Sequence, residues 1–228
     1  MAFVEDTLGL VPGSSVLDLC CGTGRHAVLL AKRGFEVTAQ DLSESYLERA
    51  SRAAEAAGVG LSVAHSDMRN IPFEATFDAV INMFTAFGYL ESEEEDSKVL
   101  REIAKALKPG GRFLLDLINR EWVVSNYVQN EWRRTDDGTL YLEHRELDLV
   151  AGRNHVTFTV IDPNGVKREM DGHHVRVYTL TEVIGILKES GLEFECAYGG
   201  FSGEEYGVGT RRMIVVGKRP GPLAGPGT

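Results

Sequence analysis

The sequence is poor in cysteine, in uninterrupted apolar stretches and in basic charge. It has three cysteines among 228 residues, and Cys20 and Cys21 are adjacent. Neither a disulfide framework nor a zinc-ligand spacing can be drawn from them, so a reducing, cytoplasmic setting is expected. The longest stretch without a charged residue is 79–90, well short of the roughly 20 residues a membrane-crossing helix needs. Residues 1–10 hold Glu5 and Asp6 and no Lys or Arg, unlike the basic start of a secretory signal. Against 34 Asp+Glu stand 24 Lys+Arg, a net charge of −10, which offers no attraction to a nucleic-acid backbone. At 43% hydrophobic residues the chain has enough apolar material for a packed core, which excludes disorder as its main state.

What is present is a regular alternation. Residues 15–20 read as a short buried strand closed by Gly22 and Gly24, followed by a helix over 25–33 that stops at Gly34. A strand at 35–40 leads to a helix capped by Ser43, with Leu47, Ala50, Ala54 and Ala57 on one face and Gly58 at its end. Further strands are predicted at 61–65, 77–83 and 112–118. Between the last two lies a helix that starts among the acids 93–96 and is stopped by Pro109-Gly110-Gly111. Strand alternating with helix implies a parallel, doubly wound α/β sheet.

Near Glu121 the pattern changes. Asp136-Asp137-Gly138, Ala151-Gly152-Arg153-Asn154 and Asp162-Pro163-Asn164-Gly165 are hairpin punctuation. An antiparallel β insertion is therefore expected over 129–178, a candidate lid on a domain made of 1–128 and 179–218. Thr179-Leu180-Thr181-Glu182 is a capping-box pattern that restarts helical order. Two last strands are read at 193–198 and 212–216, and the Pro- and Gly-rich 219–228 as a flexible tail.

Asp18-Leu19-Cys20-Cys21-Gly22-Thr23-Gly24 carries the chemistry. A strand that ends in a glycine turn and opens a helix lets a ligand approach bare backbone. Asp41, closing the second strand, is placed to meet ribose hydroxyls, as in dinucleotide-type folds. Asp18 lies inside an apolar strand next to that turn; it would repel a pyrophosphate and attract a sulfonium. Asp67 and Met68, after the third strand, can meet an adenine amino group and ring nitrogen. Three acids at three strand ends, with no P-loop lysine, suit an adenosine that carries positive charge.

On these residues the chain resembles the class I S-adenosylmethionine-dependent methyltransferases, in order over residues 10–218. Phe77-Asp78-Ala79-Val80 and Leu107-Lys108-Pro109-Gly110-Gly111 also stand where that family has them. The resemblance implies a Rossmann-like sheet with an antiparallel last strand and S-adenosylmethionine as cofactor. It places Asp18, Cys20, Cys21, Gly22, Thr23 and Gly24 at the methionine part. Asp41 and Leu42 fall at the ribose, Asp67 and Met68 at the adenine, and Asn82 and Met83 at the methyl end. It departs from the family at Cys20, which replaces the first loop glycine; the backbone there is expected to avoid a glycine-only conformation. The short segment before the first strand implies a more open pocket or a missing N-terminal part.

Amino-sugar N-methyltransferases are the group nearest to residues 83–90 and the insertion. The expected activity is methyl transfer to nitrogen or oxygen of a small-molecule acceptor, with no nucleic-acid or membrane partner. The insertion's 9 acids and 7 bases supply no basic face. Tyr89, one of His173 and His174, Arg176 and Tyr178 are the candidate acceptor contacts, because neighbours in a strand face opposite sides. No carboxylate–histidine set suggests a metal. Trp122, Tyr127 and Trp132 are read as packing of the insertion onto the main domain. An NAD-dependent dehydrogenase could use the same glycine turn and Asp41, and a cofactor-binding module without turnover is the third reading.

Overall fold

The computed structural model describes residues 1–221. A helix unforeseen in the sequence, α1 (Ala2–Leu8), precedes β1 (Ser15–Leu19), burying Val4 and Leu8. Then come α2 (Arg25–Ala31), β2 (Glu36–Asp41), α3 (Glu44–Ala57), β3 (Ser62–His65), β4 (Phe77–Asn82), α4 (Glu93–Ala106) and β5 (Leu107–Ile118). A second unforeseen helix, α5 (Arg120–Ser125), leads into β6 (Asn130–Arg134), β7 (Leu140–Asp148), β8 (Arg153–Ile161) and β9 (Lys167–Arg176). The chain closes with α6 (Leu180–Glu189), β10 (Glu193–Tyr198) and β11 (Arg212–Lys218). Among the described residues no helix is long and apolar enough to cross a membrane.

The main sheet has the order β10-β11-β5-β4-β1-β2-β3. β1 to β5 run parallel, and β11 is antiparallel to both β5 and β10. Side-chain alternation along β1 divides the core. Leu17 and Leu19 join Val99, Ile103 and Leu187 on one face, while Val16 joins Ala27, Leu30 and Leu47 on the other. Asp18 shares the face of Val16. Strand order reverses between β1 and β4, and in open α/β sheets ligands settle beyond the carboxyl ends of strands at such a point.

Local signals do what the residue types dictate. The Ser43 and Ser92 hydroxyls accept from the amides of Tyr46 and Glu95, and the Thr179–Glu182 capping box is formed in both directions. Lys108-Pro109-Gly110-Gly111 differs from the expected helix stop. The α4 helix has already ended at Ala106, and these residues form a register break inside β5, with Phe77 opposite Leu107 but Ala79 opposite Arg112. Part of the expected tail is also bound: the Arg219 amide donates to Gly111 at 2.8 Å and its guanidinium to the Leu107 carbonyl at 2.6 Å. The rest, 222–228, lies outside the described residues.

The insertion is a four-stranded antiparallel sheet, β6-β7-β8-β9. It is docked on the main body, with Val156 and Val175 buried and Arg153 donating to the Leu90 carbonyl at 2.7 Å. Trp132 lies on its outer face, 69% exposed, and so is not the packing residue the sequence suggested. The architecture is a Rossmann-like α/β fold with an antiparallel β portion.

Candidate functional site

The glycine turn begins where β1 stops. Cys20 adopts a φ of +60°, so the expectation that it avoids a glycine-type backbone is overturned. A side chain in that left-handed region costs roughly 1–2 kcal/mol, and the turn is held in place by long-range bonds. Cys21 donates its amide to the Gln40 carbonyl at 3.0 Å, and Gly22 donates to Asp41 Oδ2 at 2.9 Å. The second Asp41 oxygen accepts the Ser43 amide, also at 2.9 Å. Gly22, at φ +55°, has open space where a Cβ would stand. Gly24 differs: a Cβ there would lie 2.6 Å from that of Ala50, so this glycine serves the contact of α2 with α3 and lines neither cavity described below.

Two cavities flank the turn. The smaller, about 170 Å³, is bordered by Gln40, Asp41, Leu42, Asp67 and Met68. The larger, about 730 Å³, is bordered by Cys21, Gly22, Thr23, Arg25, Met83, Phe84 and Tyr89. Cys20 borders both, and its Sγ lies 3.6 Å from the Met68 sulfur. Burial and the surrounding acids push the Cys20 thiol up to about 12, and Cys21 shifts the same way, so neither is a thiolate nucleophile near neutrality. In the smaller cavity Asp67 is gripped by Arg69 through Oδ2 at 2.6 Å and held below the usual carboxylate range by that hydrogen bond.

Three buried oxygens of the strands around the turn have no hydrogen-bond partner among the described residues: Asp18 Oδ2, Gln40 Oε1 and Asn82 Oδ1. They sit on β1, β2 and β4, which are neighbours in the sheet. Asp18 is 1% exposed and borders neither cavity. Burial pushes its carboxyl up to about 7, opposed by a hydrogen bond from the Ala27 amide and reinforced by Asp41. It therefore faces α2, behind the turn. Asn82 is likewise behind the wall, donating to the Leu19 carbonyl at 3.0 Å. Of these three residues only Gln40 borders one of the two cavities, the smaller.

The structure adds residues that the sequence reading missed. Gln40 is a polar residue inside an apolar strand, the same signal that picked out Asp18. Arg25, directly after the turn, has its guanidinium 4.6 Å over the Phe84 ring. Next to it His26 stacks on Phe84 at 5.2 Å, and burial with the Arg25 charge lowers its imidazole to about 4. Phe84 and Thr85 are both left-handed, at φ +60° and +58°. Asp116, wholly buried, stabilises that bend: its Oδ2 accepts the Phe84 amide and its carbonyl the Thr85 amide, both at 2.8 Å. Arg212 in turn holds the Asp116 carboxylate at 2.6 Å.

The acceptor candidates separate. Tyr89 borders the larger cavity, and its ring lies 6.3 Å from that of His173, which borders a third cavity under the insertion. His174 points the other way and meets the His155 ring at 4.4 Å. Arg176 and Tyr178 are structural, contrary to expectation. Arg176 is 7% exposed and spends its guanidinium on Glu93, Glu182 and the carbonyls of Gly152 and Val177. Tyr178 is 2% exposed, and its hydroxyl donates to Asp96 at 2.7 Å.

Comparisons with known proteins identify the family and the fold. A family model described as a methyltransferase domain matches residues 16–111. A dTDP-3-amino-3,4,6-trideoxy-alpha-D-glucopyranose N,N-dimethyltransferase of Streptomyces venezuelae is 30% identical over 203 residues, covering 86% of this chain and 82% of the relative. A cypemycin N-terminal methyltransferase of a Streptomyces species is 30% identical over 221 residues, covering 91% and 84%. The solved structure of an S-adenosylmethionine-dependent methyltransferase from Clostridium acetobutylicum has a TM-score of 0.82 at 22% identity, covering 96% of this chain and 90% of that one, and shares the fold. The dehydrogenase reading of the glycine turn gives way to these matches. The chain belongs to the S-adenosylmethionine-dependent methyltransferases, and S-adenosylmethionine is its cofactor.

Proposed function

We propose that this enzyme methylates an amine nitrogen of a small-molecule acceptor, with an amino sugar as the best-supported class. The observation that carries the reading is the pair of cavities meeting at Cys20. The smaller suits the adenosine, with Asp41 at the ribose and Asp67 with Met68 at the adenine. The larger has room for the methionine part and the acceptor together, with Met83, Phe84 and Tyr89 facing both. The two 30% identical relatives are named as an amino-sugar N,N-dimethyltransferase and as an N-terminal methyltransferase, and both names point to an amine nitrogen. The net charge of −10 and the acidic insertion support a small molecule over nucleic acid.

When bound, the cofactor supplies a methyl group already activated on a sulfonium. The chain's own work is then positioning and exclusion of water. Asp41 ties the turn to β2 and keeps two further lone-pair directions for ribose hydroxyls. Arg25 is the cation bordering the larger cavity, since His26 is neutral, and it pairs with the donor's carboxylate. The docked insertion acts as a lid over the acceptor. An acceptor ammonium must lose its proton to water or to a nearby base before attack. Purified protein with S-adenosylmethionine and a panel of amino sugars, amino acids, short peptides, phenols and bulk tRNA, read by mass spectrometry, tests the reading. One methyl gained on an amino-sugar nitrogen supports it. Gain on phenol oxygens alone, on bulk tRNA alone, or on nothing would overturn it, the last pointing to a binding module without turnover.

A further inference from the structure

A third cavity, about 440 Å³, lies between α5 and the inner face of the four-stranded sheet, a size within the range of small-molecule sites. Asn154 on β8 borders it at 6% exposure, and Asn154 Oδ1 has no hydrogen-bond partner among the described residues. An unmet buried acceptor is costly, and a ligand hydroxyl or amine would satisfy it. Arg211 also borders the cavity, its guanidinium 5.3 Å over the Trp122 indole, with no ion pair among the described residues. The other cation on this wall, Arg145, is already matched by Glu131 at 2.7 Å and Glu143 at 2.8 Å. The cavity thus holds one unmet neutral acceptor and one unmatched guanidinium fixed on an aromatic face. The Tyr89–His173 ring pair stands between it and the larger cavity.

We propose that this cavity is the anchoring half of the acceptor site and binds a hydroxylated group carrying an anion. Arg211 pairs with the anion and Asn154 accepts from a hydroxyl, while the reacting nitrogen reaches past His173 and Tyr89 towards the donor. The inference rests on the methyltransferase reading above and narrows its substrate class.

The test is calorimetric titration of the full chain, saturated with S-adenosylhomocysteine, with glucose 1-phosphate, glucuronate and uncharged glucose. Binding of at least one anion tenfold or more tighter than glucose is expected, and the stronger anion identifies phosphate or carboxylate as the anchor. Arg211→Ala should abolish that preference, and Asn154→Leu should weaken the preferred anion about fivefold or more. S-adenosylhomocysteine affinity should stay unchanged in both variants, which also reports that they are folded. Equal binding of all three probes, or an anion preference that survives Arg211→Ala, would overturn the proposal. Wild-type protein that fails to bind S-adenosylhomocysteine would instead count against the assignment of the donor cavities.

Discussion

The Asp41 carboxylate at the end of β2 accepts the Gly22 amide at 2.9 Å, so the acid of one strand holds the turn that follows another. Asp41→Ala removes the acceptor for Gly22 and Ser43 together and the partner for ribose hydroxyls. Unpaired groups of this kind cost about 1–3 kcal/mol, so S-adenosylhomocysteine should bind roughly 5- to 150-fold more weakly by calorimetry. Unchanged affinity would remove Asp41 from the donor site.

Asp18 carries a pH signature. Its folded carboxyl titrates near 7, against an ordinary value of 3.8, because burial disfavours the charge. Between pH 4 and 7 the unfolded chain releases a proton that the folded chain keeps, so this contribution to stability is complete below about 4 and lost as pH rises through about 7. At about 1.4 kcal/mol per unit the window spans on the order of 4 kcal/mol. Asp18→Asn should therefore be more stable than the parent at pH 8, with the gap closing towards pH 4.5 in urea unfolding. Parallel profiles would show that Asp18 is not the group responsible. The same variant should lose preference for the sulfonium donor over its neutral thioether product.

Arg25 is expected to recognise the donor's carboxylate. Arg25→Gln should weaken S-adenosylhomocysteine about fivefold, near 1 kcal/mol for a partly solvated charged hydrogen bond. Binding of 5′-methylthioadenosine, which lacks the carboxylate, should not change. An equal loss for both ligands would mean that Arg25 only props Phe84.

Arg176 separates architecture from recognition. With its partners Glu93 and Glu182 and two carbonyls left unmatched, Arg176→Ala should cost about 2–3 kcal/mol of stability. Thermal unfolding would show the loss while donor affinity per folded molecule holds. A variant as stable as the parent but impaired only in acceptor binding would restore Arg176 to the site.

Much was legible in the chain because it is written in short-range terms. The strand–helix alternation, the turn residues of the insertion and the Thr179–Glu182 capping box depend on backbone preference and on periods of 2 and 3.6. The glycine turn and the acids at the ends of β1, β2 and β3 could be placed for the same reason. The short helices α1 and α5 were missed because six or seven residues carry too little periodicity to stand out. Other features needed the tertiary structure, since a polar side chain takes whatever partner distant elements bring to it. Tyr178 meets Asp96 from 82 residues away and Arg176 meets Glu93 from 83, which turns two candidate ligand contacts into struts. The left-handed backbone at Cys20 and at Phe84-Thr85 is likewise imposed by bonds from β2 and β5. The residue types gave the fold class and the cofactor, while long-range packing decided which side chains remain free to use it.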